Sequence, residues 1–169
     1  MNKIIIVDDH SLFREGIKLL IENEDLGEVI GEAENGQAFL DMLEHHQPDL
    51  VIMDNEMSLM SGLETTSNAL RMRPDLKILV LTMLSEMANY LDIVNAGAMG
   101  IVLKTSGKTE FEKAIKVILN GQKYFSYELL NQIIVNSNLK SQTKIENSMP
   151  ISDYFANQEK EFSQRFVKV

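Results

Sequence analysis

The chain has 169 residues, 44% of them hydrophobic and none of them Cys, so a folded core is expected and disulfides and thiolate metal sites are excluded. The formal charge is −9 and the acid is concentrated: residues 1–122 carry 10 Lys+Arg against 20 Asp+Glu, a net of −10, while residues 123–169 carry 6 against 5. An acidic body repels phosphate backbones, which argues against nucleic-acid binding by the first 122 residues.

In chain order, the opening MNKIIIVDDHS has too short an apolar stretch for a signal peptide and no small-residue cleavage site. No window approaches the roughly 18–20 apolar residues of a membrane span, so a cytoplasmic protein without a membrane partner is expected. Lys3 to Val7 is a short apolar, β-branched run that stops at Asp8 and Asp9. Ser11 is a plausible cap for a helix carrying Leu12, Phe13, Gly16, Ile17 and Leu20. Val29 to Ala33 is a weaker strand, followed by a helix from Asn35-Gly36 through Phe39, Met42 and Leu43. Leu50 to Met53 stops at Asp54, and a helix from Leu63 to Met72 ends before Pro74. Ile78 to Leu81 stops at Thr82, and a helix over Met87 to Ala96 ends at Gly97. Ile101 to Leu103 stops at Lys104, and a helix over Phe111 to Leu119 ends at Gly121. Continuous short apolar runs suit strands buried on both faces. Five βα units predict an α/β fold, a parallel sheet with helices on both sides.

After Gly121 the pattern changes. Ser126 could cap a helix bearing Leu129, Leu130, Ile133 and Ile134, and residues 136–149 are polar and rich in Ser and Asn, which reads as a linker. An amphipathic segment with Phe155, Phe162, Phe166 and Val169 closes the sequence.

Ligands in open α/β sheets sit beyond the carboxyl ends of the strands. Those ends here carry Asp8, Asp9, Asp54, Thr82 and Lys104: three acids, a hydroxyl and an ammonium delivered by four strands. If the first and third strands are neighbours, their terminal acids crowd together, and two such charges at ~4 Å repel by about 4 kcal/mol at an effective dielectric near 20. The cluster therefore calls for a cation, and carboxylate oxygens suit Mg²⁺. A carboxylate is also a competent nucleophile for phosphoryl transfer, with Lys104 and Thr82 placed to hold phosphoryl oxygens. Any one of these residues alone is ordinary loop or cap chemistry; the convergence is what points to a site. His10 is read as a first-turn helix residue, and His45 and His46 as a complement to a helix dipole.

IIIVDDH, LVIMDNEMSLMSG, ILVLTM and AGAMGIVLK, in this order and spacing, resemble the receiver domain of two-component response regulators over residues 1–122. The resemblance implies a flavodoxin-like, five-stranded doubly wound sheet of order 2-1-3-4-5. It also implies Asp54 as phosphoacceptor and Asp8, Asp9, Asp54 and the Glu56 backbone carbonyl as Mg²⁺ ligands. Thr82 and Lys104 match the switch hydroxyl and the phosphate-binding lysine. A histidine kinase is the implied donor, and homodimerisation the implied response. The chemistry is that of a signalling phosphoacceptor that dephosphorylates itself rather than of a turnover enzyme. Three positions depart from the pattern. Ser58 replaces the usual Pro, which should leave the loop after Asp54 less stiff. Ile101 stands at the switch-aromatic position, so output would run through Thr82 and loop movement. Glu56 sets a negative side chain beside the site.

The sequence is most similar to the LuxR/NarL-type branch, and NQEKEFSQRFVKV resembles the opening of that branch's helix-turn-helix. The expected organisation is a receiver over 1–122, a linker with a helix over 123–149, and the start of an incomplete helix-turn-helix over 150–169. DNA contact would need the complete domain. Competing readings are weaker. An aspartate-nucleophile phosphatase needs a second Asp two residues after the first, where this chain has Glu56. A flavin module needs a phosphate-binding turn where Asp8 and Asp9 stand. A receiver-like module that binds partners without phosphate is the remaining alternative.

Overall fold

The computed structural model describes residues 1–83, 90–127 and 129–130. The chain divides into a compact unit spanning Met1–Ser126 and a second spanning Tyr127–Val169. In the first unit the strands are β1 (Lys3–Val7), β2 (Glu28–Ala33), β3 (Leu50–Asp54), β4 (Ile78–Thr82), β5 (Gly100–Leu103) and β6 (Tyr124–Phe125). The helices are α1 (Ser11–Asn23), α2 (Gly36–Leu43), α3 (Gly62–Met72), α4 (Tyr90–Asn95) and α5 (Lys108–Leu119).

The sheet is parallel, in the order β2-β1-β3-β4-β5-β6. The expected order 2-1-3-4-5 holds for the first five strands, and the five-strand count is corrected by β6, which pairs Gly100 with Tyr124 and Ile101 with Phe125. Residues 123–149, expected as a linker with a helix, include this strand near their start. Two residues between Lys123 and Ser126 give no periodicity to read. The remainder of the expected linker helix, the 150–169 segment and the start of the helix expected over 87–96 lie outside the described residues.

Every residue of β3, β4 and β5 is buried, as is β1 after Lys3. Each fully buried Ile, Leu or Val contributes about 1.5–3 kcal/mol relative to exposure. Strand alternation divides this core. Ile4, Ile6, Leu50, Ile52, Leu79, Leu81 and Val102 join Ile17 and Ile21 of α1 and Phe111, Ile115 and Ile118 of α5 in one cluster. Their neighbours in the strands face the opposite side by the two-residue period. Asp54 shares the phase of Leu50 and Ile52, and Asp8 and Lys104 continue the phases of Ile6 and Val102. These three polar side chains are thereby sent toward the α1/α5 side, whereas Thr82 keeps the opposite phase.

Local signals explain most helix ends. Asn35 caps α2 by accepting from the Ala38 N–H at 2.9 Å, and Ser61 caps α3 by accepting from the Glu64 N–H at 3.2 Å. Gly97 and Gly121 follow α4 and α5 with φ of 102° and 81°, a backbone region that suits glycine after a helix. Ser11 is not the cap of α1; His10 occupies that position and its side chain makes no capping bond. The turn is instead closed by Asp8, whose Oδ1 accepts from the His10 N–H at 2.8 Å.

The β3–α3 connection returns so tightly that a Cβ added at Gly62 would lie 2.2 Å from the Asp54 carbonyl oxygen. Gly62 also donates its N–H to the Asn55 carbonyl at 2.9 Å. Gly62→Ala should therefore cost about 1–3 kcal/mol by overpacking. Urea denaturation of the two proteins checks this, and an unchanged midpoint would show that the loop relaxes freely.

Candidate functional site

Parallel register sets the site. Val7 pairs with Met53, Asp54 with Leu81 and Thr82 with Leu103, so Asp8 and Asp54 come level, one residue beyond Val7 and Met53. Lys104 follows directly on Leu103, and its N–H donates to the Thr82 carbonyl at 2.7 Å. The Lys104 ammonium lies 2.9 Å from Asp8 Oδ2 and 2.8 Å from Asp54 Oδ2, bridging the two buried carboxylates. It also sits 4.6 Å from the centroid of the Phe13 ring, which supplies a face of partial negative charge on its apolar side.

Asp8, Asp9, His10 and Asp54 each present a ligand atom, all within 4.8 Å of one another. Asp9 Oδ1 and Asp54 Oδ2 are both buried; the first faces the His10 imidazole nitrogen at 2.9 Å and the second the Lys104 ammonium at 2.8 Å. Hard carboxylate oxygens gathered this closely at a sheet edge are a fit for Mg²⁺. Asp54 Oδ1 accepts from the Glu56 N–H at 3.2 Å. Ser58 does not simply loosen the loop. Its N–H donates to Asp9 Oδ2 at 3.1 Å, a bond that proline could not make.

Thr82 is fully buried, with its hydroxyl donating to the Met83 carbonyl at 3.5 Å. The same carbonyl accepts from the phenol of buried Tyr90 at 3.0 Å, which ties the start of α4 to the residue after Thr82. Ile101 is fully buried between Val80 and Phe125. A groove of about 790 Å³, lined in part by Leu12, Phe13, Leu20, Lys108 and Phe111, opens beside Asp54 and Lys104.

His10, read from sequence as a helix residue alone, belongs to the cluster: its Nδ1 is 2.9 Å from Asp9 Oδ1 and 3.3 Å from Asp8 Oδ1. The signal was its adjacency to two acids at a strand end. Tyr90 and the Ser58 N–H left no comparable trace, since one acts from a distant helix and the other through backbone.

The family described as "Response regulator receiver domain" matches residues 4–116. The chain belongs to the response regulator receiver family. Among curated relatives, the response regulator GacA of Pseudomonas syringae pv. syringae is 35% identical over 137 residues, which cover 81% of this chain and 64% of that protein. The chain thus spans less than two thirds of the length of such relatives. A two-component response regulator of the LuxR family from Aurantimonas sp. SI85-9A1 superposes with a TM-score of 0.77 at 31% identity, covering 81% of this chain and 98% of that one. The isolated receiver of RcsB from Salmonella enterica serovar Typhimurium, solved with the phosphomimetic BeF3−, has a TM-score of 0.70 at 28% identity, covering 76% and 95%. The receiver is of the NarL/LuxR type, a signalling family. Among the described residues no helix is long and apolar enough to cross a membrane.

Burial pushes the Asp54 carboxyl up from 3.8 to about 6, against Lys104 and the Glu56 N–H, which favour its charged form, and with Asp8, which disfavours it. Burial also acts to lower the Lys104 pKa, but Asp54 and Asp8 outweigh it, so the ammonium titrates above its usual value. A carboxyl that titrates higher in the fold than in the unfolded chain favours the fold when protonated. For the metal-free receiver this contribution is full below about pH 4 and is lost as pH rises through about 6. Asp54→Asn removes it. The stability of Asp54→Asn relative to the native chain should therefore rise by on the order of 2–3 kcal/mol between those limits, read by urea denaturation across a pH series with chelator. A constant difference would show that Asp54 ionises normally.

Proposed function

We propose that this receiver accepts a phosphoryl group on Asp54 from a histidine kinase of a two-component phosphorelay, and that the modification switches its surface to control transcription. The observation that carries the reading is the lysine-bridged pair, with Lys104 at 2.9 Å from Asp8 and 2.8 Å from Asp54 at one sheet edge. Around pH 7 most of the Asp54 population is ionised, as a nucleophile requires. One of its oxygens bonds to phosphorus as the bond from phosphorus to the donor imidazole nitrogen breaks, and the electron pair leaves with that nitrogen. Asp8, Asp9, Asp54 and the Glu56 carbonyl would hold Mg²⁺, which when bound neutralises charge on the transferring group.

Lys104 is already within reach of the acceptor carboxylate and can move its charge onto a phosphoryl oxygen. The product adds roughly −1.5 to −2 charge beside Lys104. That charge draws the Thr82 hydroxyl from its long bond to the Met83 carbonyl, a carbonyl that Tyr90 also holds. With Ile101 at the position where an aromatic would rotate, the change passes through Thr82 and the segment that follows it. The groove beside Asp54 offers a donor protein an apolar seat flanked by Lys104 and Lys108. A cytoplasmic setting, phosphorylation-driven homodimers and DNA contact through a complete C-terminal domain complete the reading, in keeping with the GacA-like and LuxR-family relatives.

Acetyl phosphate with Mg²⁺ should add a single phosphoryl group by intact mass, and none to Asp54→Ala. A phosphorylated Asp54→Ala, or an unmodified native chain, would sink the acceptor assignment. Glu56 is exposed beside the acceptor, where its charge repels approaching anions and competes for attacking water. Glu56→Asn should change autodephosphorylation severalfold, followed as loss of the phosphorylated mass, and an unchanged rate would refute that role.

A further inference from the structure

We infer that His10 is a nitrogen ligand of the divalent-cation site and makes this receiver favour transition-metal ions such as Mn²⁺ over Mg²⁺. The inference rests on the metal-binding part of the proposed function and concerns which cation that site selects.

The geometry around His10 is that of a coordination edge. Two ligands at right angles on one octahedral cation, each ~2.1 Å away, lie about 3.0 Å apart. His10 Nδ1 stands 2.9 Å from Asp9 Oδ1 and 3.3 Å from Asp8 Oδ1. Asp9 Oδ1 is buried and faces the imidazole nitrogen directly. The fully buried side chain of Asp54 closes the group of four, with its ligand atom inside the same 4.8 Å span.

His10 is also held in place. Its N–H donates to Asp8 Oδ1 at 2.8 Å and its carbonyl accepts from the Arg14 N–H at 3.0 Å, so the backbone that carries the ring is fixed at the entry to α1. The His10 side chain makes no capping bond to α1; its Nδ1 instead hydrogen-bonds with Asp8 Oδ1 at 3.3 Å. The ring is 72% exposed, which leaves a cation in the cluster open to water and to a phosphodonor.

Chemistry then decides the selectivity. Lys104 binds Asp8 and Asp54 through their Oδ2 atoms and Arg14 donates to the Asp8 backbone carbonyl, whereas the imidazole faces the Oδ1 atoms of Asp8 and Asp9. The side that carries Asp8 Oδ1, Asp9 Oδ1 and Nδ1 is a mixed oxygen and nitrogen set. Mg²⁺ is hard and gains little from an imidazole, whereas first-row transition ions bind one readily. A site of carboxylates alone would lack this extra preference.

The test uses the full chain and two probes, MgCl₂ and MnCl₂, titrated separately by calorimetry into the native protein and His10→Ala. In the Mn²⁺-loaded samples, electron spin echo modulation reads directly bound ¹⁴N. Expected are a ¹⁴N coupling in the native protein that His10→Ala removes, and a fall of about tenfold in Mn²⁺ affinity with Mg²⁺ affinity nearly unchanged. His45→Ala/His46→Ala should keep the coupling. Binding of both ions that is the same in native and His10→Ala protein would overturn the inference while leaving the acidic site intact. No binding of either ion to the native protein would instead overturn the metal reading on which it rests.

Discussion

Two carboxylates at the ends of adjacent strands cannot be buried together without a countercharge, and Lys104 supplies it. Asp8 and Asp54 are nearly inaccessible, and each places one oxygen within 3 Å of the same ammonium. Removing one partner of a buried ion pair typically costs 3–5 kcal/mol, because the remaining charge is left without a partner. The parallel sheet makes the arrangement possible. Its register brings residues distant in sequence to one edge, and its alternation turns Asp8, Asp54 and Lys104 to one side of the sheet. The stability of the fold and the readiness of the site are therefore a single electrostatic arrangement. Burial raises the Asp54 pKa, and the same burial strengthens its attraction to any cation or lysine that approaches.

Much of this was legible in the sequence, for definable reasons. β1, β3, β4 and β5 are unbroken apolar runs that end on a polar residue, because both of their faces are buried and the ends are the site. The receiver resemblance placed Asp54 and Lys104, and the structure puts them 2.8 Å apart. What escaped was structure carried by very few residues or by backbone. β6 is two residues long and gives no period, although Phe125 packs next to Ile101. Ser11 reads as a cap by residue type, yet Asp8 closes that turn from three residues earlier. His10 was absorbed into a helix pattern because a single histidine at a helix start has an ordinary explanation. Only distances to Asp8 and Asp9 distinguish the two uses.

The site also reaches outward through short connections. Lys104 pairs through its backbone with the Thr82 carbonyl, and Tyr90 and Thr82 share the Met83 carbonyl. A change of charge at Asp54 thus meets Thr82 and the first turn of α4 within a few hydrogen bonds. A small displacement at the acid edge can be passed on because the strands that frame it are packed too closely to deform gradually.

Ser58 changes how Asp9 is to be understood. The loop from Asn55 to Ser61 contains Leu59, a leucine held at φ 72° and 90% exposed, a conformation that β-carbon sterics disfavour. The Ser58 N–H anchored on the Asp9 carboxylate lies directly beside it. Asp9 is therefore a tether for an unfavourable piece of backbone as well as an acid of the cluster. Replacing it by alanine would slacken that loop at the same moment as it deleted a ligand, so a defect in such a variant has two origins. Asn at that position, which keeps an acceptor oxygen but loses the charge, separates them.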